Sequence, residues 1–447
     1  MEQDLTTGSV FKRIVYFSLP YLLSYFLQTL YGMADLFITG QFYGVDTITA
    51  VSNGSQIMHM MTVIIVGLAM GTTVTIGHSV GAKCMEQAEK IIGNTITLFM
   101  GIAVAFTVIL VVLLKPIVVL IAAPQEAVAG TSIYLLICFI GIPFITAYNI
   151  ISSIFRGLGD SKSPMYFIGI ACVMNIALDY LFMGAFHMGA AGAALGTVCA
   201  QTFSVLVALW VIRRRKTGIS LKKSDFKIER TVIGQVLKIG IPVALQDGFI
   251  QVAFMIITVI ANSRGVSDAA AVGVVEKVIS ALFIVPSSML ATVSALSAQN
   301  LGAGKEKRAT DTLHYATVIT TIYGMIVAVL IQFIAENVVG IFTSDTTVVT
   351  MGSAYIRSYI WDCIFAGIHF SFSGYFAACG KSYIGFLHNI ISITFVRVPG
   401  SYLASKYFTD TLYPMGLAAP AGSLVSVAIC VTAFILLKRK SRVAQTA

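Results

Sequence analysis

The sequence predicts an all-α integral membrane protein whose twelve transmembrane helices form two pseudo-symmetric six-helix bundles. Three observations lead to this prediction: the composition, the number and length of the apolar runs, and a repeat that relates the two halves of the chain. Of the 447 residues, 57% are hydrophobic and only 11% are charged, and the mean hydropathy is +0.88. Because a soluble domain carries about 25% charged residues, this composition indicates a protein built for lipid.

Twelve apolar runs recur along the chain, each close to the roughly 20 residues that one helix needs to cross a bilayer. The first run follows Lys12 and Arg13 and lacks a small-residue cleavage site, so we expect a retained helix and not a signal peptide. The centres of the runs lie near residues 26, 60, 102, 144, 174, 201, 248, 282, 322, 363, 393 and 426.

Short motifs of the first half return in the second half. The pairs are HSVGAK (78–83) with QNLGAGK (299–305), and FRGLGDSKS (155–163) with FAACGKSY (376–383). Gly81 and Gly302 are 221 residues apart, as are Gly159 and Gly380. Since this offset spans six helices, both halves have the same orientation in the membrane. Parallel repeats of this kind are typical of transporters that bind substrate between their halves.

The repeat and the runs define the expected domains. We predict an N-terminal six-helix lobe over 12–212, a cytoplasmic basic linker over 213–233 and a C-terminal six-helix lobe over 234–438. The linker sequence, RRRKTGISLKKSDFKIER over 213–230, favours a solvated segment that touches anionic lipid headgroups.

The positive charge of the chain predicts its topology. With the N-terminus in the cytoplasm, 22 of the 29 Lys and Arg residues fall on the inner side and three on the outer side. This bias places both termini in the cytoplasm of a multi-pass protein of the cell membrane. The net charge of +9 is thereby explained without nucleic acid, and we expect a monomer whose partners are the lipid bilayer and small molecules.

The sequence shows none of the motifs that mark common enzymes. The seven cysteines form no CxxC pair and no zinc spacing, so small core residues are the simplest interpretation. A Walker A loop, a zinc motif and a nucleophile elbow are all missing, which argues against an ATP-driven pump or a hydrolase. We therefore expect no enzymatic activity and no cofactor.

Four polar residues of the first lobe are predicted to lie at one depth. Helix 1 runs outward and carries Asp35 in its outer third, while helix 5 carries Asn175 and Asp179 one turn apart on one face. At a rise of 1.5 Å per residue, Asp179 lies roughly 10 Å below the outer surface, and Thr197 of helix 6 lies roughly 12 Å deep. Gln201, one turn beyond Thr197, faces the same way.

This cluster has two possible uses. An ionised carboxylate at the centre of a membrane helix costs about 2.5–3.5 kcal/mol, so two such groups need compensation. Two neighbouring carboxylates raise the affinity of one for a proton; ionised together with Asn175 and Thr197, they instead form an all-oxygen site for a small hard cation. The alternative is that the four side chains only join helices through hydrogen bonds worth about 0.6 kcal/mol each.

The order of the motifs resembles the MATE (multidrug and toxic compound extrusion) family, and in particular its DinF-like branch. The resemblance covers residues about 12–437 and rests on six-plus-six helices, the first-helix segment LPYLLSYFLQTLYGMADLFITG (19–40), the paired G-A loops and the R-G-x-G-D loop after helix 4. His78 departs from the glutamine usual in the first loop, which Gln299 matches in the second half. The family consists of cation-coupled antiporters with two six-helix bundles around a central cavity.

The resemblance implies functional positions in the first lobe. In the DinF-like branch the cation-coupling residues correspond here to Asp35, Asn175, Asp179 and Thr197, and a coupling ion, H⁺ or Na⁺, is expected at these four residues. The face that carries Gln28 and Tyr31, with Gln201 nearby, is expected to line the substrate chamber. Pro20, fifteen residues before Asp35, would act as a hinge, although a static proline kink is an equally good interpretation.

The second lobe carries its own acids, Asp247, Glu276 and Asp362. They do not occupy the registers of the coupling acids in the NorM-like branch, where this chain has Ile250 or Gln251 and Ile368 or His369. Lys277 and Arg397 lie in the same lobe, so a structural network of paired charges is one interpretation. The other is a polar patch, including Asp247 and Asp362, that binds cationic drugs or relays protons.

These observations together predict a secondary antiporter that exports amphipathic, often cationic, organic compounds by alternating access. Two alternatives remain within the same superfamily: a flippase of lipid-linked sugars, and an exporter dedicated to one metabolite. A flippase is expected to have extra helices and a central Arg/Lys cluster, for which only Lys277, Arg357 and Arg397 are candidates. A channel would need a continuous polar ring, and a receptor would need a sizeable soluble domain.

Overall fold

The computed structural model describes residues 4–121, 123–214 and 220–446, so residues 215–219 of the predicted linker lie outside the described residues. Apolar sequence with few breakers folds here into long helices. The α-helices are α1 Val10–Phe42, α2 Val45–Gly81, α3 Met85–Val112, α4 Leu114–Leu120, α5 Val128–Gly157, α6 Lys162–Asp179, α7 Gly189–Arg214, α8 Arg230–Asn262, α9 Val266–Leu282, α10 Ile284–Gly302, α11 Glu306–Gly340, α12 Thr346–Tyr359, α13 Asp362–Ala378, α14 Ser382–Ser392, α15 Val398–Tyr407 and α16 Tyr413–Thr446.

Eleven of the twelve predicted span centres fall on these α-helices, and the twelfth, residue 393, begins the short π-helix Ile393–Arg397 between α14 and α15. In the described part of the chain, nine helical segments are long and apolar enough to cross a membrane by length and composition alone. The other three predicted spans are α1, α12 with α13, and α14 with α15. Polar residues such as Gln28 and Asp35 lower the mean hydropathy of α1. Each of the other two spans is divided into shorter helices, by a break near Trp361 and by one near Ile393.

Two compact units make up the chain. The first contains Tyr16–Ala244 together with Ala298–Gly304, and the second contains Leu245–Ser297 and Lys305–Ala447. In the first unit, buried apolar side chains of α1, α2, α5 and α7 form one core. In the second unit, buried apolar side chains of α9, α11, α12, α13 and α16 form another core.

The repeated G-A motifs meet within the first unit. A Cβ atom added to Gly81 would lie 2.0 Å from the backbone oxygen of Gln299, and one added to Gly302 would lie 2.1 Å from that of His78. The contact is therefore reciprocal, each glycine resting on the backbone of the other motif. Only glycine permits so close an approach, which explains why both motifs carry it.

Residues 220–229 of the linker are exposed except at Asp225, and they are also tied to a neighbouring helix by hydrogen bonds. Over residues 220–229, which include the short 3₁₀ helix Lys223–Phe226, the chain is held on α3. Asn94 donates to the Asp225 carbonyl at 3.0 Å and accepts from the Glu229 amide at 2.6 Å. Asp225 itself is buried. The charge composition does not report such hydrogen bonds to a neighbouring helix, and the contact of the exposed basic residues with lipid headgroups stays a prediction.

Replacing Asn94 with Ala is expected to destabilise this contact. The change leaves the carbonyl of buried Asp225 without this donor and removes the acceptor of the Glu229 amide. We expect a loss of about 1–3 kcal/mol in the free energy of unfolding, measured as a lower unfolding temperature in detergent. Thr97→Val is the comparison, since the Thr97 hydroxyl makes only one contact with the linker, to the Phe226 carbonyl at an exposed position, besides its bond to the Gly93 carbonyl of its own helix. Equal unfolding temperatures for Asn94→Ala and the parent would show that the docked linker contributes nothing.

Candidate functional site

The structure brings the four predicted coupling residues together. Asp35 of α1, Asn175 and Asp179 of α6 and Thr197 of α7 are 3%, 0%, 0% and 7% exposed, respectively. The Thr197 hydroxyl donates to Asp35 Oδ2 at 3.3 Å, and Asn175 Nδ2 donates to Asp179 Oδ1 at 3.5 Å. The carboxyl groups of Asp35 and Asp179 are direct neighbours. Three helices thus converge on one pair of acids.

Three oxygens of this site have no hydrogen-bond donor among the described residues. Asp35 Oδ1, Asn175 Oδ1 and Asp179 Oδ2 are buried and accept no hydrogen bond from the described residues, and the same holds for Gln201 Oε1. In the described ranges no Lys or Arg forms an ion pair with either carboxyl group. A buried set of oxygens without donors is costly in an apolar interior, and a proton or a small cation would supply what is missing.

A change of helix type positions the end of α6. The α-helix ends at Asp179, and the chain continues as the π-helix Tyr180–Ala185. Tyr43, just after α1, accepts a bond from the Gly189 amide at 2.9 Å and donates to the Met183 carbonyl at 3.0 Å. The Tyr43 side chain therefore joins the end of α1, the π-helix that follows Asp179 and the start of α7. π-Helical turns are frequent at functional sites.

Gly196 allows α7 to approach Asp179. A Cβ atom at this position would lie 2.2 Å from Asp179 Oδ1 and 3.6 Å from Asn175 Nδ2. The sequence analysis missed this residue. Its signal was the spacing of Gly192 and Gly196, the small-xxx-small pattern that lets membrane helices pack closely.

Two tyrosines adjoin the acids. Tyr31 of α1, predicted to line the chamber, and Tyr134 of α5, which was not predicted, both reach the Thr197 side chain and neighbour Asp35. Nothing in the spacing of α5 distinguished Tyr134 from a core aromatic residue. Gln28 is half-buried on α1, and Gln201 is buried one turn from Thr197.

The predicted hinge lies within a continuous helix. α1 runs from Val10 to Phe42 through Pro20, which is buried, and Ser24 Oγ donates to the Pro20 carbonyl at 2.7 Å. Whether the helix bends here during function stays a prediction.

The acids of the second unit differ from the expected network. Lys277 is exposed and makes no hydrogen bond or ion pair among the described residues, so its predicted pairing with a buried acid is wrong. The side chain of Lys277 points away because α9 turns Val275 and Ile279 into the core. Asp247 is half-buried on α8 and is not one of the acids found to act on Arg397. Asp362, Glu276 and Arg397 do lie close together.

Comparison with known proteins decides the family. The family model MatE matches residues 20–181 and again residues 242–403. The two matches cover most of the chain and coincide with its internal repeat. The chain belongs to the MatE family.

Relatives of the MatE chain extend over nearly its whole length. It is 29% identical to the "Probable multidrug resistance protein YpnP" of Bacillus subtilis (strain 168), over 93% of both chains. It is 25% identical to the "Probable multidrug resistance protein YoeA" of the same organism, over 95% of this chain and 93% of that one.

Solved structures confirm the MatE fold. The outward-facing conformation of a multidrug resistance MATE family transporter of the MOP superfamily superposes with a TM-score of 0.91 at 20% identity, over 100% of this chain and 99% of that chain. The predicted fold class, twelve transmembrane helices in an all-α membrane protein, is thereby confirmed. The chain is a multi-pass membrane protein of a transporter family.

Proposed function

We propose that this protein is a cation-coupled antiporter that exports amphipathic, often cationic, organic compounds by alternating access. The coupling site consists of Asp35, Asn175, Asp179 and Thr197. The observation that carries the proposal is the set of buried oxygens without donors at these residues. The protein resides as a monomer in the cell membrane with both termini in the cytoplasm.

The chemistry of the site suits either of two ions. A proton shared by Asp35 and Asp179 removes the repulsion between neighbouring carboxylates. Na⁺ instead finds carboxylate, amide and hydroxyl oxygens, the ligand class that hard cations prefer. In both cases filling the site changes its charge by one unit, in an apolar setting where a charge is costly.

A change of charge at this site acts on three helices at once. Asp35 belongs to α1, Asp179 to the junction of α6 with the π-helix, and Thr197 to α7. The ionised acids repel each other, whereas the filled site draws α1, α6 and α7 together. Alternation between these packings would link ion movement to the exposure of a substrate site near Gln28, Tyr31 and Gln201.

The substrate class is supported by the relatives and by the chemistry of the site. Both Bacillus relatives are described as probable multidrug resistance proteins, and the tyrosine faces beside the acids suit organic cations. A flippase of lipid-linked sugars finds less support. Of its three candidate basic residues, Lys277 is exposed, Arg357 pairs with exposed Glu336 at 3.3 Å, and only Arg397 is buried.

Reconstitution into liposomes tests the proposal. Ethidium, an organic cation, is expected to move against its own gradient when a pH gradient or a Na⁺ gradient is imposed, and the effective gradient identifies the coupling ion. Equal ethidium movement with and without the gradients would overturn the proposed coupling. Stabilisation by Na⁺ or by low pH without any ethidium movement would instead favour an exporter of a single metabolite.

A further inference from the structure

Arg156 is the arginine of the R-G-x-G-D loop, a motif that the proposed coupling site does not use. It lies in the last turn of α5 and is half-buried. The carbon at the centre of its guanidinium group lies 4.4 Å from the centroid of the Tyr21 ring on α1. In the described part of the chain, no ion pair or hydrogen bond joins this guanidinium to another residue. A cation with five N–H donors therefore has a ring face as its partner and no acceptor.

Hydroxyl groups lie beside this cation. Ser152, one turn before Arg156 on the same face of α5, is 1% exposed, and its Oγ is buried without a hydrogen-bond partner among the described residues. Tyr148, a further turn away, is buried and neighbours both Ser152 and Arg156. The Tyr21 ring lies 5.6 Å from Phe17 and 6.5 Å from Tyr25, centroid to centroid. These rings hold Tyr21, and with it the contact between α1 and Arg156, in place.

The other charged residues of this loop have partners. The Lys162 ammonium donates to the Tyr16 hydroxyl and lies 4.4 Å from the centroid of the Tyr16 ring. Asp160, the acid of the motif, caps α6, because its Oδ1 accepts from the amides of Lys162 and Ser163 at 2.9 and 3.0 Å. The carboxylate of the motif thus serves α6, and Arg156 has no counter-charge from the described residues.

A helix C-terminus explains only part of this arrangement. Cations are favoured in the last turn of a helix, where the peptide dipoles leave a partial negative charge. Arg213, in the last turn of α7, has this benefit as an exposed, solvated side chain. Arg156 instead lies against Tyr21 and near buried Ser152. Polar groups withdrawn from water without hydrogen-bond partners are costly, and a group from outside the chain that is rich in acceptors would remove this cost.

Depth and charge together indicate which acceptor group fits. Arg156 is twelve residues beyond the centre of its apolar run near residue 144, which is roughly 18 Å along the helix. The hydrocarbon core extends about 15 Å from its midplane, so the Arg156 side chain starts at the level of the lipid headgroups. Guanidinium groups bind phosphate oxygens through paired, charge-assisted hydrogen bonds. One singly charged phosphodiester would make the site neutral, and its oxygens can also accept from the neighbouring hydroxyl groups.

We propose that Arg156, together with the hydroxyl groups of Ser152, Tyr148 and Tyr21, binds the phosphate group of an anionic phospholipid. The lipid belongs to the cytoplasmic leaflet in the topology proposed above, where basic pockets between helices bind headgroups. The headgroup bridges α1 and α5. Inorganic phosphate presents the same oxygens and is the second source of this group. The site requires neither the coupling residues nor transport.

Native mass spectrometry of the delipidated full chain in detergent tests the site. Phosphatidylglycerol is expected to bind more tightly than phosphatidylcholine, whose headgroup has no net charge. Arg156→Gln should weaken the first phosphatidylglycerol adduct about tenfold or more, because hydrogen bonds between charged groups are the strong ones. Arg213→Gln, which removes an exposed arginine from the end of α7 in the same unit, should bind like the parent. Equal affinities of Arg156→Gln and the parent for phosphatidylglycerol, with no effect of inorganic phosphate on either, would overturn the proposal.

Two smaller changes separate a specific site from general attraction between charges. Ser152→Ala and Tyr21→Phe each remove one hydroxyl group and keep every charge, and Tyr21→Phe also keeps the ring under Arg156. Each should lower the affinity for phosphatidylglycerol severalfold. Affinities like that of the parent in both variants would show that charge alone attracts the lipid, and the site as proposed would be wrong.

Unfolding temperatures distinguish the two sources of phosphate, because a ligand stabilises the folded state that binds it. Sodium phosphate and sodium chloride are compared at equal ionic strength on the delipidated protein. Stabilisation of the parent by phosphate but not of Arg156→Gln, without a preference for phosphatidylglycerol, would assign the site to free phosphate. A preference for phosphatidylglycerol that depends on Arg156, without an effect of inorganic phosphate, assigns it to the lipid.

The unsubstituted protein provides a measurement that does not depend on the folding of variants. Phenylglyoxal reacts with accessible guanidinium groups, and mass spectrometry locates the adduct. Arg156 should react less in nanodiscs of phosphatidylglycerol than in nanodiscs of phosphatidylcholine, relative to Arg213 in the same samples. Equal relative modification of Arg156 in the two lipids would contradict a bound anionic headgroup.

Discussion

Asp35→Asn is expected to reduce gradient-driven ethidium transport to the level of protein-free liposomes, and Asp179→Asn is expected to do the same. Each change keeps the size of the side chain but removes the charge that must appear and disappear during a coupled cycle. The two acids are direct neighbours with unpartnered oxygens, so one carboxyl group cannot replace the pair. Transport assays in liposomes under the effective ion gradient measure the loss.

Two controls make this expectation specific. Asp46→Asn removes an exposed carboxyl at the start of α2 in the same unit and should transport like the parent. Thr197→Ser keeps the hydroxyl that donates to Asp35 and should also retain coupling, whereas Thr197→Val should weaken it. If both asparagine variants transport like the parent, the coupling site is not at these residues.

The sequence predicted a shared depth for these residues because that part of the geometry is local, whereas their coupling role came from the resemblance to the MATE family. Asn175 and Asp179 are one turn apart, so any helix places them on one face. The rise per residue then fixes their depth relative to the ends of the apolar run. Both inferences need only the helix and the membrane, and no knowledge of how the helices pack.

What depends on packing between helices was not predicted. Gly196 is important only because α7 passes against Asp179, and the docked linker depends on Asn94 meeting a backbone 131 residues away. Lys277 was expected to pair with a buried acid, yet its position on α9 turns it outward. The π-helices beside Asp179 and ending at Arg397 likewise have no local sequence signal, since one extra residue per turn is accommodated by neighbouring helices.

Gly196→Ala is expected to impair coupling in a protein that folds normally. The added methyl group would lie 2.2 Å from Asp179 Oδ1, so the carboxyl group must move away from it. Alanine is favoured over glycine inside a helix by about 1 kcal/mol, so the substitution need not weaken α7. Displacing a carboxyl that faces an ion typically lowers ion affinity about 10–100-fold, and the ion concentration needed for half-maximal transport should rise accordingly.

Gly101→Ala is the matched control, because a Cβ atom on that glycine of α3 meets nothing within 4 Å. Both alanines bring the same gain in helix propensity, and only one of them touches an acid. A difference between the two variants in ion dependence, with similar unfolding temperatures, therefore measures how closely the position of Asp179 controls coupling. If transport by Gly196→Ala depends on the ion as in the parent, Asp179 can bind the ion from a second position. The close approach of α7 then contributes only to helix packing.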